Sequence, residues 1–127
     1  MLGTDIIEVD RIKKLIKEKD NKFLSRIYTQ KEIDYCESKG PNKYQHYAGR
    51  FAAKEAVFKI LSIHFLKNKK PLTFKDIEIL NREDGSPYVN INNNLMLACI
   101  PDVDISISHI KKYATAVAIN TYRWLKK

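Results

Sequence analysis

The stretch from Lys43 to about Leu66 contains no proline and a single glycine, and it predicts one long helix around which the rest of the chain must be built. Within it the run Ala48-Gly49-Arg50-Phe51-Ala52-Ala53-Lys54-Glu55-Ala56-Val57-Phe58-Lys59 combines small residues, which let neighbours approach closely, with Phe51 and Phe58 as marks of a buried stripe. Glu55 lies four residues after Phe51 and three before Phe58, on that same apolar face. Burying an unpaired charge costs several kcal/mol, so Glu55 must be paired, bound to a metal or placed at the edge of the core. A salt bridge to Lys54, Lys59 or Arg50 would satisfy it as well as a metal would.

Around this helix the pattern predicts an α+β domain. Leu2 to Ile7 reads as a strand, and from Val9 the apolar residues Val9, Ile12, Leu15 and Ile16 recur at helical spacing. Phe23 to Tyr28 is a short apolar turn of helix. Thr29-Gln30-Lys31-Glu32 has the form of a capping box opening a helix that runs to about Ser38, and Gly40-Pro41 stops it. After Pro71 the period becomes alternating. Asp76 to Leu80 and Tyr88 to Ile91 flank a turn with Gly85, and Val103 to His109 and Tyr113 to Ile119 read as two further strands. Asn92-Asn93-Asn94 is a loop, Leu95 to Cys99 predicts one or two helical turns, and Tyr122 to Leu125 a packed tail. The expected fold is one domain, residues 1–127, with the long helix packed on an antiparallel sheet.

Composition narrows the function. With 127 residues and 44% hydrophobic side chains the chain can bury a core, and its apolar fraction is too high for a disordered polycation. No apolar run approaches the roughly 18 residues of a membrane span, and the acidic, strand-like start is unlike a signal peptide, so a cytoplasmic location is expected. Cys36 and Cys99 share no metal-ligand spacing and read as free thiols. A net charge of +8 calls for an anionic partner. Residues 1–70 carry +7 of it, and Arg11, Lys14 and Lys17 repeat at three-residue spacing along one side of the first helix.

A second acid breaks the pattern. Asp5 lies inside the apolar first strand, where Gly3 would admit a ligand or another backbone. Mg²⁺ is held by one or two carboxylates, with water and phosphate oxygens completing its shell, and Asp5 with Glu55 would meet that demand if the strand packs beside the helix. Arg50 and Lys54, about one turn before Glu55, and Lys59, one turn after it, are donors suited to phosphates. His46 and His64 read as ordinary surface or core histidines, whereas His109 follows two serines and precedes Lys111-Lys112. Ser108 and His109 are strand neighbours that point to opposite faces, which argues against a nucleophile and base pair.

The segments Gly3-Thr4-Asp5-Ile6-Ile7-Glu8, residues 48–56 quoted above, and Ser106-Ile107-Ser108-His109 occur in an order that resembles the holo-[acyl-carrier-protein] synthases, the small single-domain bacterial 4'-phosphopantetheinyl transferases. The likeness extends to Arg26-Ile27-Tyr28-Thr29 with Glu32, to Asp76-Ile77-Glu78-Ile79 and to Gly85-Ser86-Pro87-Tyr88, nearly the whole chain. It implies transfer of 4'-phosphopantetheine from coenzyme A to a serine of apo-acyl carrier protein, in support of fatty acid biosynthesis, with release of adenosine 3',5'-bisphosphate. By the family pattern Asp5 and Glu55 would hold Mg²⁺ and Lys59 would assist at the pyrophosphate. Arg50, His109 and Lys111 would contact the anionic nucleotide end, and Gly85 and Pro87 would border the adenine. The serine proton would pass to Glu55, Asp5 or a metal-bound water or hydroxide. Arg11 matches the family's docking arginine for the acidic carrier, a face that Lys14 and Lys17 would extend, and a homotrimer with active sites between subunits is implied. The chain departs from the family after Lys59, where Ile60 to Leu66 is bulkier than the usual glycine-containing segment and Lys67 to Lys70 is basic.

The rival reading from composition is a small basic nucleic-acid-binding module, favoured by a pI near 9.5 and by seven tyrosines and five phenylalanines available for stacking. The charge, however, gathers on one helix and around one carboxylate, and no RNA-binding signature is present. No nucleic acid is therefore expected as partner. An adaptor for acidic proteins would explain the basic helix but not Glu55.

Overall fold

The computed structural model describes residues 1–19, 21–67, 72–91 and 102–120. Strand β1 (Leu2–Glu8) leads into helices α1 (Val9–Lys19), α2 (Asn21–Ile27) and α3 (Gln30–Glu37). A 3-10 turn at Gly40–Asn42 then starts α4 (Lys43–Lys67), the long helix expected from the sequence. A second 3-10 turn, Phe74–Asp76, precedes β2 (Ile77–Asn81), β3 (Pro87–Ile91), β4 (Val103–His109) and β5 (Tyr113–Asn120). The Asn92–Asn94 loop, the turns expected at Leu95 to Cys99, the Tyr122 to Leu125 tail and most of the basic run after Lys67 lie outside the described residues. Ile60 and Leu61, the first of the bulky residues that depart from the family, are fully buried.

The strands form two antiparallel sheets, one ordered β1-β5-β4 and the other the hairpin β2-β3, with Gly85 at a positive φ of 90° in its turn. Period-2 alternation sorts the larger sheet into two faces. Its inner face carries Ala114, Ala116 and Ala118 of β5, Gly3 and Ile7 of β1 and Ile105 and Ile107 of β4, and α4 meets it with Ala48, Ala52, Ala53 and Ala56. Small residues on both sides bring helix and sheet into close approach, and Gly3 is the extreme case. A Cβ built on it would lie 2.1 Å from the carbonyl oxygen of Ala56, so the glycine admits another backbone rather than a ligand. Gly3→Ala must push β1 from α4. It is expected to cost about 1–3 kcal/mol, as overpacking generally does, and to weaken any response to divalent metal by parting Asp5 from Glu55; thermal unfolding with and without Mg²⁺ measures both.

The buried stripe of α4 is not the one marked by its phenylalanines. Phe51 and Phe58 are half-buried and stack on Phe74, with Phe23 against Phe51 as well, along the margin of the core. Glu55 shares that margin and is half-buried. The charge that does lie in the core is Lys54, 0% exposed, so its reading as a phosphate donor is wrong. Its ammonium donates to Glu32 Oε1 at 2.7 Å and to the carbonyls of Ile77 at 2.7 Å and Phe74 at 2.9 Å, which uses all three N–H donors. Glu32 closes the capping box by accepting from the Thr29 N–H at 2.8 Å, and its other oxygen accepts from the Ile79 N–H at 2.8 Å. One buried ion pair therefore ties α3, α4 and β2 together. Cys36 is a buried free thiol with its pKa pushed up to about 12 by burial, in keeping with a structural cysteine.

Candidate active site

Asp5 stands on the inner face of β1 between Gly3 and Ile7, and the Gly3 contact with Ala56 brings this part of the strand against the turn of α4 that carries Glu55. Burial raises the pKa of both carboxyls, and the charge of Asp5 raises that of Glu55 further. Lys59, one turn beyond Glu55, opposes both shifts: its ammonium is 3.7 Å from Asp5 Oδ1 and donates to the Thr4 carbonyl at 2.7 Å. Among the described residues no hydrogen bond or ion pair holds the Glu55 carboxylate, so the salt bridge that could have explained it is not made. Two mutually repelling, partly desolvated carboxylates with one cation beside Asp5 would be relieved by a divalent ion. That donor set suits Mg²⁺, which leaves most of its shell to water and phosphate. No cluster of three or more His, Cys, Asp or Glu forms among the described residues. Thr4, Asp5, Ile6, Lys59 and Thr115 line a shallow hollow at this point.

A cavity of about 160 Å³ opens farther along α4, towards its N-terminus, lined by Tyr35, His46, Gly49, Arg50, Asn81, Gly85, Pro87, Ile107 and His109. It collects four residues that the sequence suggested for a nucleotide: Arg50, Gly85, Pro87 and His109. Arg50 is only 4% exposed, and its guanidinium lies 3.9 Å over the Tyr35 ring and donates to Asn81 Oδ1. Its Nε is buried without a partner, and among the described residues no carboxylate neutralises it. A buried cation lacking an anion is a ready anion site. Glu55 follows Arg50 by five residues, about 8 Å along the helix and about 140° around it, so α4 carries the anion site and the carboxylate pair on different sides.

Other expected residues lie apart. Lys111 is exposed in the turn between β4 and β5 and lines neither the cavity nor the hollow. Arg11, Lys14 and Lys17 are exposed on α1, and Lys17 with Lys13 and Lys43 surrounds the Tyr44 ring at 5.3–5.9 Å. Ser108 points outward and His109 inward, as strand geometry requires. Tyr35, His46 and Asn81 were not singled out from the sequence as site residues. Asn81 had no readable signal, because what matters is its position at the end of β2 opposite Arg50. No helix among the described residues is long and apolar enough to cross a membrane.

The family model of the 4'-phosphopantetheinyl transferase superfamily matches residues 1–118. Holo-[acyl-carrier-protein] synthase of Ruminiclostridium cellulolyticum is 44% identical over 123 residues, covering 94% of this chain and 90% of that protein. The enzyme of Halothermothrix orenii is 40% identical over 122 residues, covering 93% and 94%. Among solved structures, Helicobacter pylori holo-[acyl-carrier-protein] synthase in complex with coenzyme A superposes with a TM-score of 0.79 at 34% identity, covering 95% of this chain and 100% of that one. A Bacillus anthracis synthase in complex with CoA (3',5'-ADP) gives 0.71 at 33% identity, covering 92% and 91%. An α+β fold with a long central helix, a crowded carboxylate pair and a buried guanidinium thus coincide with near full-length likeness, and the chain belongs to the holo-[acyl-carrier-protein] synthases, phosphopantetheinyl transferase enzymes.

Proposed function

We propose that this single domain, residues 1–127, transfers 4'-phosphopantetheine from coenzyme A to a serine of apo-acyl carrier protein and releases adenosine 3',5'-bisphosphate, in a Mg²⁺-dependent reaction that serves fatty acid biosynthesis in the cytoplasm. The observation that carries this reading is that one helix bears a buried unneutralised Arg50 and, five residues on, Glu55, which is crowded by Asp5 of β1. Asp5 and Glu55 would hold the metal, which when bound supplies positive charge to the pyrophosphate as negative charge builds on the leaving phosphate. Lys59, anchored on the Thr4 carbonyl, adds a fixed ammonium beside the same group. Arg50 receives a phosphate of the nucleotide end, with His109 opposite and the Gly85 to Pro87 turn as the cavity wall. The serine oxygen bonds to the phosphorus bearing the pantetheine arm, the bond between that phosphorus and the bridging oxygen breaks, the bridging oxygen departs with the nucleotide as adenosine 3',5'-bisphosphate, and the serine proton passes to a base.

The outer face of the larger sheet supports self-association. Leu2 and Ile6 of β1 and Tyr113, Val117 and Ile119 of β5 are 42–67% exposed on adjacent strands, an apolar patch that a second copy would cover. The hollow at Asp5 includes Thr4, Ile6 and Thr115 of that face, so a homotrimer joined there would put its active sites between subunits.

Incubation with Mg²⁺, coenzyme A and an apo-acyl carrier protein should add the mass of phosphopantetheine to the carrier, and a folded preparation that leaves the carrier mass unchanged would refute the reading. The exposed basic face of α1 is the docking surface for the acidic carrier. Arg11→Ala is expected to raise the KM for carrier about fivefold at low salt, with a smaller effect as salt rises and little change for coenzyme A. An equal loss of coenzyme A binding would remove Arg11 from that surface.

A further inference from the structure

We infer that His46 is a positioning residue for the nucleotide end of the site: its ring, set edge-on between Tyr35 and His109, fixes the His109 imidazole against the cavity floored by Arg50. The inference rests on the transferase reading of that cavity and assigns work to a histidine that sequence alone leaves ordinary. The His46 ring meets His109 with centroids 4.8 Å apart and planes at 67°, and meets Tyr35 at 5.6 Å and 73°, both edge-to-face. Tyr35 in turn lies under the Arg50 guanidinium, so Arg50, Tyr35, His46 and His109 form one continuous stack.

Three positions of α4 converge on His109. Gln45 Oε1 stands 2.9 Å from His109 Nδ1, and because that oxygen can only accept, Nδ1 carries the proton and Nε2 is left to face other groups. His46 packs against the ring. Gly49, one turn later, leaves room for it: a Cβ there would be 3.0 Å from Ile107 Cγ2 and 3.7 Å from His109 Cδ2. The hydrogen bond that His109 Nδ1 donates to Gln45 holds one edge of the imidazole, and the His46 contact packs against the ring and limits its tilt about that edge. Burial and the neighbouring charges of His109, Lys39 and Arg50 push His46 down to about 4, so at neutral pH it acts through its ring and not through charge.

The test is calorimetric binding of adenosine 3',5'-bisphosphate, which needs no turnover, to wild type, His46→Ala, His46→Phe, His109→Ala and the double variant His46→Ala/His109→Ala. His46→Ala should weaken binding about fivefold, as expected for loss of an aromatic pair, and should act on the KM for coenzyme A more than on kcat. His46→Phe keeps a ring without a titratable group and should restore affinity to within about twofold. In the His109→Ala background, removing His46 should have no further effect. In nitrogen-15 spectra the His109 tautomer should be single in wild type and mixed in His46→Ala. Losses that add in the double variant, a His46→Phe protein as weak as His46→Ala, or an unchanged His46→Ala would each overturn the inference while leaving the transferase reading intact. Failure of wild type to bind the bisphosphate would overturn the reading of the cavity itself.

Discussion

Glu55→Gln should lower phosphopantetheine transfer by about a thousandfold or more, on the scale of several kcal/mol that a bound metal contributes to a charged transition state, while the folded protein melts no lower than wild type. The two halves of this expectation have one cause. In the metal-free protein the Glu55 pKa is raised above its ordinary 4.5 by burial and by Asp5, so the ionised form is disfavoured on folding. A raised carboxylate holds its proton more tightly folded than unfolded. Its effect on stability is therefore favourable at low pH and is lost as pH rises through the raised value. Glutamine removes that penalty together with the metal ligand. For the same reason Mg²⁺ should raise the melting temperature of wild type at neutral pH, should do so less on acidification towards 4.5, and should not do so for Glu55→Gln. Near-normal turnover or an undiminished Mg²⁺ response in the variant would remove Glu55 from the metal site.

Lys54→Met is expected to be the most damaging of these substitutions to the fold, lowering stability by roughly 3–5 kcal/mol and the melting temperature by about 10–15 °C. The methionine fills most of the volume but leaves the Glu32 carboxylate buried without its cation and the Phe74 and Ile77 carbonyls without their donor. Glu32→Gln should approach the same loss, because the amide presents N–H groups where either Lys54 or the Ile79 N–H must donate. With domain stabilities of about 5–15 kcal/mol, either change brings the protein near its limit. Loss of the pair also frees β2, whose last residue, Asn81, holds Arg50, so weaker binding of adenosine 3',5'-bisphosphate should accompany the fall in stability. Urea unfolding reads the first effect and calorimetry the second. A Lys54→Met protein as stable as wild type would mean that the pair contributes no net stability.

The sequence singled out Asp5 and Glu55, which the packing of β1 on α4 brings into mutual influence, but it misjudged why Glu55 was conspicuous. Glu55 was picked out because helical spacing put it among phenylalanines, yet those phenylalanines line the margin of the core, and the fully buried charge is the lysine beside it. Spacing reveals which residues share a face of α4, but not which face is enclosed when a helix is surrounded by β1, β4 and β5 on one side and by α1, α3 and β2 on the others. The capping box at Thr29 and Glu32 was legible because its partners are three residues apart. The second task of Glu32, binding Lys54 and the Ile79 N–H, was not, since those partners are 22 and 47 residues away.

Local chemistry in the sequence determined the long helix, the strands, the hairpin turn at Gly85 and the basic face of α1, and it marked Asp5 and Glu55 as acids out of pattern. Each depends on contacts within a few residues, or on the residue type itself. Tertiary structure decided that Gly3 seats β1 directly on Ala56 and so brings Asp5 to Glu55. It also decided that Arg50 is buried without an anion, and that His46, Gln45 and Gly49 converge on His109. These features join residues up to 64 positions apart, and a single chain carries no record of such distances until packing closes them.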